Sequence, residues 1–190
     1  MTRLKEIYEK EVIPAMMEKF GYKNKMEVPK IEKVVVNTGF GKLIAAKTGE
    51  DQRKTIESII EDTSTITGQH ATITKAKRSI AGFKLREGTP AGSKVTLRGK
   101  RMYDFLERLI HIVLPRSRDF QGINPASVDT EGNLSIGMRE HIFFPEISPE
   151  KIRNTIGLEI TVTTTAKTRE EGLELLRLSG FPMKRETETE

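Results

Sequence analysis

Lys75, Lys77, Arg78 and Lys84 fall within ten residues of one another and alternate with the hydroxyls of Thr72, Thr74 and Ser79. An ammonium or guanidinium group neutralises phosphate, and a hydroxyl reaches phosphate or ribose oxygens. The stretch Ile66–Lys84 is poor in acid and in large apolar anchors, so it does not suit a protein-docking groove. A base could stack on Phe83, although a lone aromatic there is expected to pack in the core. The surrounding charge has the same sense. Lys75 to Asp119 holds twelve Lys and Arg against four Asp and Glu, a net of +8, whereas the rest of the chain carries −3 of the overall +5. Segregation of this kind is the electrostatic footprint of a polyanion site.

Other chemistries find little support. Val36-Asn-Thr-Gly-Phe-Gly-Lys42 follows a strand-like run, but Ile44 stands where a dinucleotide fingerprint needs a small residue. A P-loop would need four residues before the Gly-Lys pair and a Ser or Thr after it, where Leu43 stands. The residues there suit another use: Asn37 and Thr38 offer hydrogen bonds beside bare backbone, as RNA minor-groove contact requires. His70, His111 and His141 lie far apart, so a metal site is not expected. There is no cysteine, which excludes disulfides and thiolate chemistry. No nucleophile elbow or isolated acid pair stands out. The sequon at Asn133 meets no glycan without a secretory signal. The expectation is a non-enzyme with no cofactor and no small-molecule substrate.

The chain has 190 residues, 36% hydrophobic and 31% charged, enough for one core beneath a charged surface. The charged opening Met1–Lys10 does not resemble a secretory signal, and the apolar runs are too short for a membrane span. An intracellular, cytoplasmic protein with no membrane partner is expected.

The elements that must position these residues alternate irregularly. Apolar spacing predicts a helix over Thr2–Phe20, kinked or split at Pro14. A strand is expected at Ile31–Asn37, a loop over Gly39–Gly49 and a helix from Asp51 to Gly68. Thr72–Thr74 is a short strand, and Lys75–Gly82 a basic, mobile-looking loop. Phe83–Arg86 and Ser93–Arg98 read as strands joined through Gly88, Pro90 and Gly92. Met102 to Val113 marks an amphipathic helix that Pro115 stops. A long loop, Arg116–Asp129, leads to strand pieces at Leu134–Ile136 and Ile142–Phe144. Gly157–Thr165 is a strand with a Thr-rich face. Thr168 and Glu171 form a capping box for the last helix. The fold class expected is α+β, a mainly antiparallel sheet with helices on one face and the other left open. One domain over 1–182 and a frayed polar tail over 183–190 complete the expectation.

Several ordered motifs resemble one family. Ile66-Thr-Gly-Gln69, Ile73-Thr-Lys-Ala-Lys-Arg-Ser79, Gly82-Phe-Lys84 and Lys94-Val-Thr-Leu-Arg-Gly-Lys-Arg-Met102 are similar to its signature. So are Pro115-Arg-Ser-Arg-Asp-Phe-Gln-Gly122, Ile136-Gly-Met-Arg-Glu140, Phe144-Pro-Glu-Ile147 and Gly180-Phe-Pro182. The family is bacterial-type large-subunit ribosomal protein five (universal uL5), the 5S rRNA-binding protein, and the resemblance spans nearly the whole chain. Departures include Thr38, Phe40, His70, Ala71, Gln121 and Leu134.

The resemblance implies a sheet whose open face docks on 5S rRNA through Asn37, Thr38, Gln69, Lys94, Thr96 and Arg98. It implies a loop carrying Lys75, Lys77, Arg78, Ser79 and Lys84 that reaches P-site tRNA. Further partners would be large-subunit rRNA and a ribosomal protein of the small-subunit head, reached across an inter-subunit bridge. Arg116 to Gly122 is a second region for such contacts. A free RNA-binding factor remains the alternative, and co-sedimentation with large subunits at high salt separates the two.

Overall fold

The computed structural model describes residues 3–45, 47–83, 85–118, 120–148, 150, 152 and 154–184. In chain order the elements are α1 (Arg3–Ile7), α2 (Ile13–Phe20), β1 (Ile31–Gly39), α3 (Gly41–Ala45), α4 (Gly49–Thr67), β2 (Thr72–Lys75) and β3 (Pro90–Leu97). They continue with α5 (Gly99–Arg108), α6 (Leu114–Arg116), β4 (Leu134–Met138), β5 (Leu158–Thr164) and α7 (Arg169–Leu178). One five-stranded sheet has the order β2-β3-β1-β5-β4. β2 and β3 pair antiparallel, with Thr72 opposite Lys94 and Thr74 opposite Gly92. β1 and β5 also run opposite ways: Thr38 bonds Gly157, whereas Lys30, just before β1, bonds Thr165, just after β5. The α+β expectation is met.

The chain forms two compact units, and β1, β4 and β5 each contribute residues to both. The first unit is drawn from Met1–Val34, Arg98–Ile136 and Thr161–Glu190. Val12, Met16, Val28 and Leu175 are buried together there, with Tyr8, Phe20 and Leu178 packed against them. Lys19 Nζ lies 2.8 Å from Glu174 Oε2, which ties α2 to α7. α7 begins as its sequence directs. Thr168 Oγ1 accepts from the Glu171 N–H at 3.3 Å. The reciprocal half of the box is displaced by one residue, because Glu171 Oε2 accepts from the Lys167 N–H at 2.9 Å. Beneath α7, Gly172 leaves no room for a side chain, since a Cβ there would run into the Gly132 backbone.

Both helical prolines are accommodated by the same device. A π turn over Tyr8–Val12 precedes Pro14, and the Ile13 N–H donates to the Tyr8 carbonyl five residues back. A second π turn, Leu109–Val113, precedes Pro115, and the Leu114 N–H donates to the Leu109 carbonyl. Proline has no N–H and its ring crowds the carbonyl four residues earlier. The wider turn makes room for it. The helix expected to kink or split at Pro14 therefore continues through it to Phe20. The helix expected to stop at Pro115 runs on to Arg116.

The second unit is drawn from Val35–Leu97 and Gly137–Ile160. Phe40, Ile44, Ile59 and Ile156 form its buried cluster, with Leu43 and Ile56 packed on it. The expected loop over Gly39–Gly49 contains the short helix α3, which brings Ile44 into that cluster. Two expected strands are turns instead. Ala81–Phe83 is a 3-10 turn, followed by a single bridge from Leu85 to Ile80. His141–Phe143 is a 3-10 turn as well. In each the apolar residues suggested a strand, but the backbone turns back on itself there. Buried His141 holds its turn in place: its N–H donates to the Ile156 carbonyl at 3.1 Å, and its Nδ1 accepts from the Ile156 N–H at 3.3 Å.

In the first unit again, Met183 opens the expected polar tail. It bridges to Ile123, and the Lys184 N–H donates to the Ile123 carbonyl at 2.9 Å. The rest of the expected tail, 185–190, lies outside the described residues.

Candidate nucleic-acid interface

Alternation along the strands assigns the faces of the sheet. Val34, Val36 and Thr38 of β1 are buried, and Val35 and Asn37 point the other way, partly exposed. In β3, Ser93, Val95 and Leu97 are buried, Lys94 is exposed and Thr96 is half-buried. In β5, Leu158, Ile160, Val162 and Thr164 are buried, and Glu159, Thr161 and Thr163 face the open side. Ser135 and Gly137 of β4 are likewise exposed between buried neighbours. Within the second unit the open face therefore presents Asn37, Lys94, Thr96, Thr72 and Thr74, a set of amide, ammonium and hydroxyl groups.

Several of these groups are held by neighbours. Asn37 Nδ2 donates to Glu159 Oε2 at 3.2 Å across the face. Gln69 follows α4, whose last turn closes on Gly68 in a left-handed conformation. Thr67 Oγ1 donates to the Thr63 carbonyl at 2.8 Å, and the Ala71 N–H donates to Ser64 Oγ at 3.0 Å. That stapled turn carries Gln69 to β3, where its Nε2 donates to the Thr96 carbonyl at 3.2 Å. Gly92 permits the close approach of β2, β3 and β1. A Cβ at Gly92 would stand 2.6 Å from the Thr38 carbonyl oxygen and 2.9 Å from Thr74 Oγ1.

Thr38 belongs to the opposite side. It is 1% exposed, and its hydroxyl donates to the Gly157 carbonyl. It pins β1 to β5 and does not present its side chain on the open face. Its parity with Val34 and Val36 was the signal available in the sequence. Arg98 is exposed where β3 leads into α5 and falls in the first unit.

The segment after β2, expected as a basic loop, is closed by backbone hydrogen bonds. The Ala76 N–H donates to the Thr89 carbonyl at 2.9 Å, and the Gly88 N–H to the Ala76 carbonyl at 3.0 Å. Nearer the tip, Ile80 and Leu85 exchange backbone bonds at 2.9 and 3.2 Å. Ser79 Oγ accepts from the Glu87 N–H at 2.9 Å, which gives that hydroxyl a bracing role. Lys75, Lys77 and Arg78 are exposed, and Lys84 lies outside the described residues. Phe83, expected in the core, is 74% exposed, and Ile80 beside it in the turn is 46% exposed. The sequence signal for that exposure is a glycine-flanked run without alternation.

The electrostatic contrast with the helices is sharp. Lys5, Lys10, Arg53 and Lys54 each pair with a glutamate four residues away. Among the described residues, Lys75, Lys77, Arg78, Lys94 and Arg98 enter no ion pair. Unpaired cations retain their full charge for phosphates. The second unit also has a hollow of about 720 Å³, but Glu57, Glu61, Asp62, Glu146 and Glu150 line it, the wrong sign for a nucleic acid. Behind it, burial pushes Asp62 above the usual carboxylate range and buried His141 below the usual imidazole range, with 3.7 Å between Oδ2 and Nε2. No cluster of three metal-ligating side chains occurs among the described residues. No helix among them is long and apolar enough to cross a membrane.

This α+β scaffold carries exposed cations, amides and hydroxyls on an open sheet face and one turn, the groups that meet phosphate and ribose in nucleic-acid-binding proteins. Comparison with known proteins gives that class its family. Residues 24–86 match the family model described as ribosomal protein L5, and residues 90–183 match the model of the same ribosomal family's C-terminus. The chain is 52% identical to large ribosomal subunit protein uL5 of Carboxydothermus hydrogenoformans, over 97% of this chain and 100% of that one. It is 53% identical to the uL5 of Desulforapulum autotrophicum, over 97% and 99% of the two chains. It is 51% identical to that of Kosmotoga olearia, over 96% of each. The chain belongs to the ribosomal protein L5 family, the uL5 proteins of the large ribosomal subunit.

Proposed function

We propose that this ribosomal protein holds 5S rRNA on the open face of its sheet and steadies P-site tRNA with the turn between β2 and β3. The observation that carries the reading is the alternation that leaves Asn37, Lys94 and Thr96 on one open face, with Gln69 bonded to the Thr96 backbone. Amide and hydroxyl groups at fixed positions recognise RNA shape and 2′-hydroxyls, and cations add salt-sensitive affinity. Arg98 extends the contact where β3 ends. Thr38 acts from behind by locking β1 to β5. Lys75, Lys77, Arg78 and Lys84 contact tRNA phosphates, with Ser79 bracing their turn. The mechanism is positioning, and no bond is made or broken. The family reading extends to large-subunit rRNA and to a bridge with a protein of the small-subunit head, for which the exposed Arg116 and Arg118 are the residues to substitute.

The test is titration of the full chain against 5S rRNA with transfer RNA as competitor, at roughly 0.15 M ionic strength, where surface charges beyond ~8 Å are screened. Tight binding that survives the competitor is expected. Weak binding abolished by tRNA would reduce the basic residues to a generic polyanion patch and favour a free RNA-binding factor.

A further inference from the structure

We propose that Phe83, with Ile80 in the same turn, is a stacking platform for an exposed nucleobase plane of the RNA that the turn between β2 and β3 meets. The proposal rests on the tRNA-contact reading above and deepens it. A single exposed phenylalanine is ordinary on a protein surface, and the setting of this one is what distinguishes it. Phe83 is 74% exposed and Ile80 46% exposed, so their apolar surface adds little to the folded core. Backbone hydrogen bonds nevertheless close the turn that carries them. The Phe83 N–H donates to the Ile80 carbonyl at 3.2 Å, Ile80 and Leu85 bond reciprocally, and Ala76 is bonded to Thr89 and Gly88 behind them. A tip closed by such bonds has less conformational entropy to lose on docking than an open loop.

The charge around the tip selects the occupant. Lys75, Lys77, Arg78 and Arg86 are exposed, and Glu87 is the one carboxylate between Lys75 and Pro90. An aromatic face flanked by unpaired cations suits a nucleobase flanked by phosphates, because stacking is sequence-tolerant and the cations track the backbone. An anionic bilayer would also attract cations beside an apolar tip. Membership of a ribosomal protein family favours RNA, and the bilayer is left as an outcome of the test.

Stacking releases no counterions, so it separates from phosphate contact by its salt dependence. Ribosomes assembled with full-length wild-type, F83A, F83L, F83Y or K77A/R78A chains are compared for release of P-site tRNA across a salt series. Incorporation of each variant is checked by co-sedimentation with large subunits, and wild-type and F83A chains are sedimented with phosphatidylserine vesicles. F83A and F83L are expected to speed release about tenfold, as a ~1.4 kcal/mol stacking contribution requires. Their salt slope should match wild type, and F83Y should release at the wild-type rate. K77A/R78A should speed release and flatten the slope. Wild-type release from F83A beside fast release from K77A/R78A overturns the stacking alone. Wild-type release from both overturns the tRNA contact as well. F83L behaving like wild type, or F83A failing to enter the subunit, assigns Phe83 a merely apolar or structural part and overturns the proposal. So does vesicle binding that is lost in F83A while its tRNA release is unchanged.

Discussion

The open sheet face and the turn between β2 and β3 lie in the same unit and both carry exposed cations, yet they are supported differently. On the face, Asn37 and Gln69 are held by other elements, through Glu159 and the Thr96 backbone. In the turn, Ala76, Ile80, Leu85 and Gly88 are bonded to other members of the turn. A face supported by several strands fixes groups for directional recognition. A turn supported by itself extends charge and one aromatic away from the body. Two kinds of support thus occur side by side in one unit.

The largest effect should come from breaking the support of the face. Gly92→Val places carbon against the Thr38 carbonyl and Thr74 Oγ1. It should destabilise the protein by about 1–3 kcal/mol, as overpacking does, seen as a lower urea midpoint, and 5S rRNA binding should fall with it. Retained stability and binding would mean that β2 is not needed to order the face. Next in size is the triple change of Lys75, Lys77 and Arg78 to Ala. The slope of log affinity against log salt for tRNA should fall by about 2 to 3, with 5S affinity unchanged. Equal loss for both RNAs would erase the distinction between the two regions. Smaller still, Asn37→Ala and Thr96→Val should each lower 5S affinity by about 0.5–1.5 kcal/mol at constant salt slope. A changed slope would mean that the face also works by charge.

The smallest effect concerns the floor of the same unit. Burial holds His141 below its ordinary value, so the unfolded chain takes up the proton first as pH falls. Its stabilising contribution is complete above about pH 6.5 and is lost as pH drops toward the folded-state value. Asp62, pushed upward by burial, has the opposite dependence at lower pH. Urea unfolding at a series of pH values should show wild-type stability declining below about pH 6.5 and a flatter profile for His141→Gln. Parallel profiles would remove the buried imidazole as the cause.

Helix ends and strand parity were legible because each is a local rule. Gly68 and the Thr168–Glu171 pair sit where capping chemistry puts them. The cations and hydroxyls of the turn were legible as types. Their support was not, since a bond such as that from Gln69 to the Thr96 carbonyl joins residues 27 apart in sequence. Phe83 was misplaced because an aromatic residue signals burial on average, and only the turn that closes around Ile80 and Leu85 keeps it out of the core. Ile142–Phe144 was misread as strand because its composition is apolar, while the pairing it lacks depends on a partner that sequence alone does not supply.

The way the first unit is assembled bears on the order of synthesis. Val12, Met16 and Val28 emerge from the translating ribosome near the beginning, and Leu175, which completes their cluster, emerges more than a hundred residues later. At roughly 5–20 residues per second, α2 waits many seconds for α7, whereas α1 packs on α5, which is made sooner. The second unit draws its residues from 35–97 and 137–160 and has left the ribosome before α7 appears. α2 is therefore made long before the helix that completes its cluster.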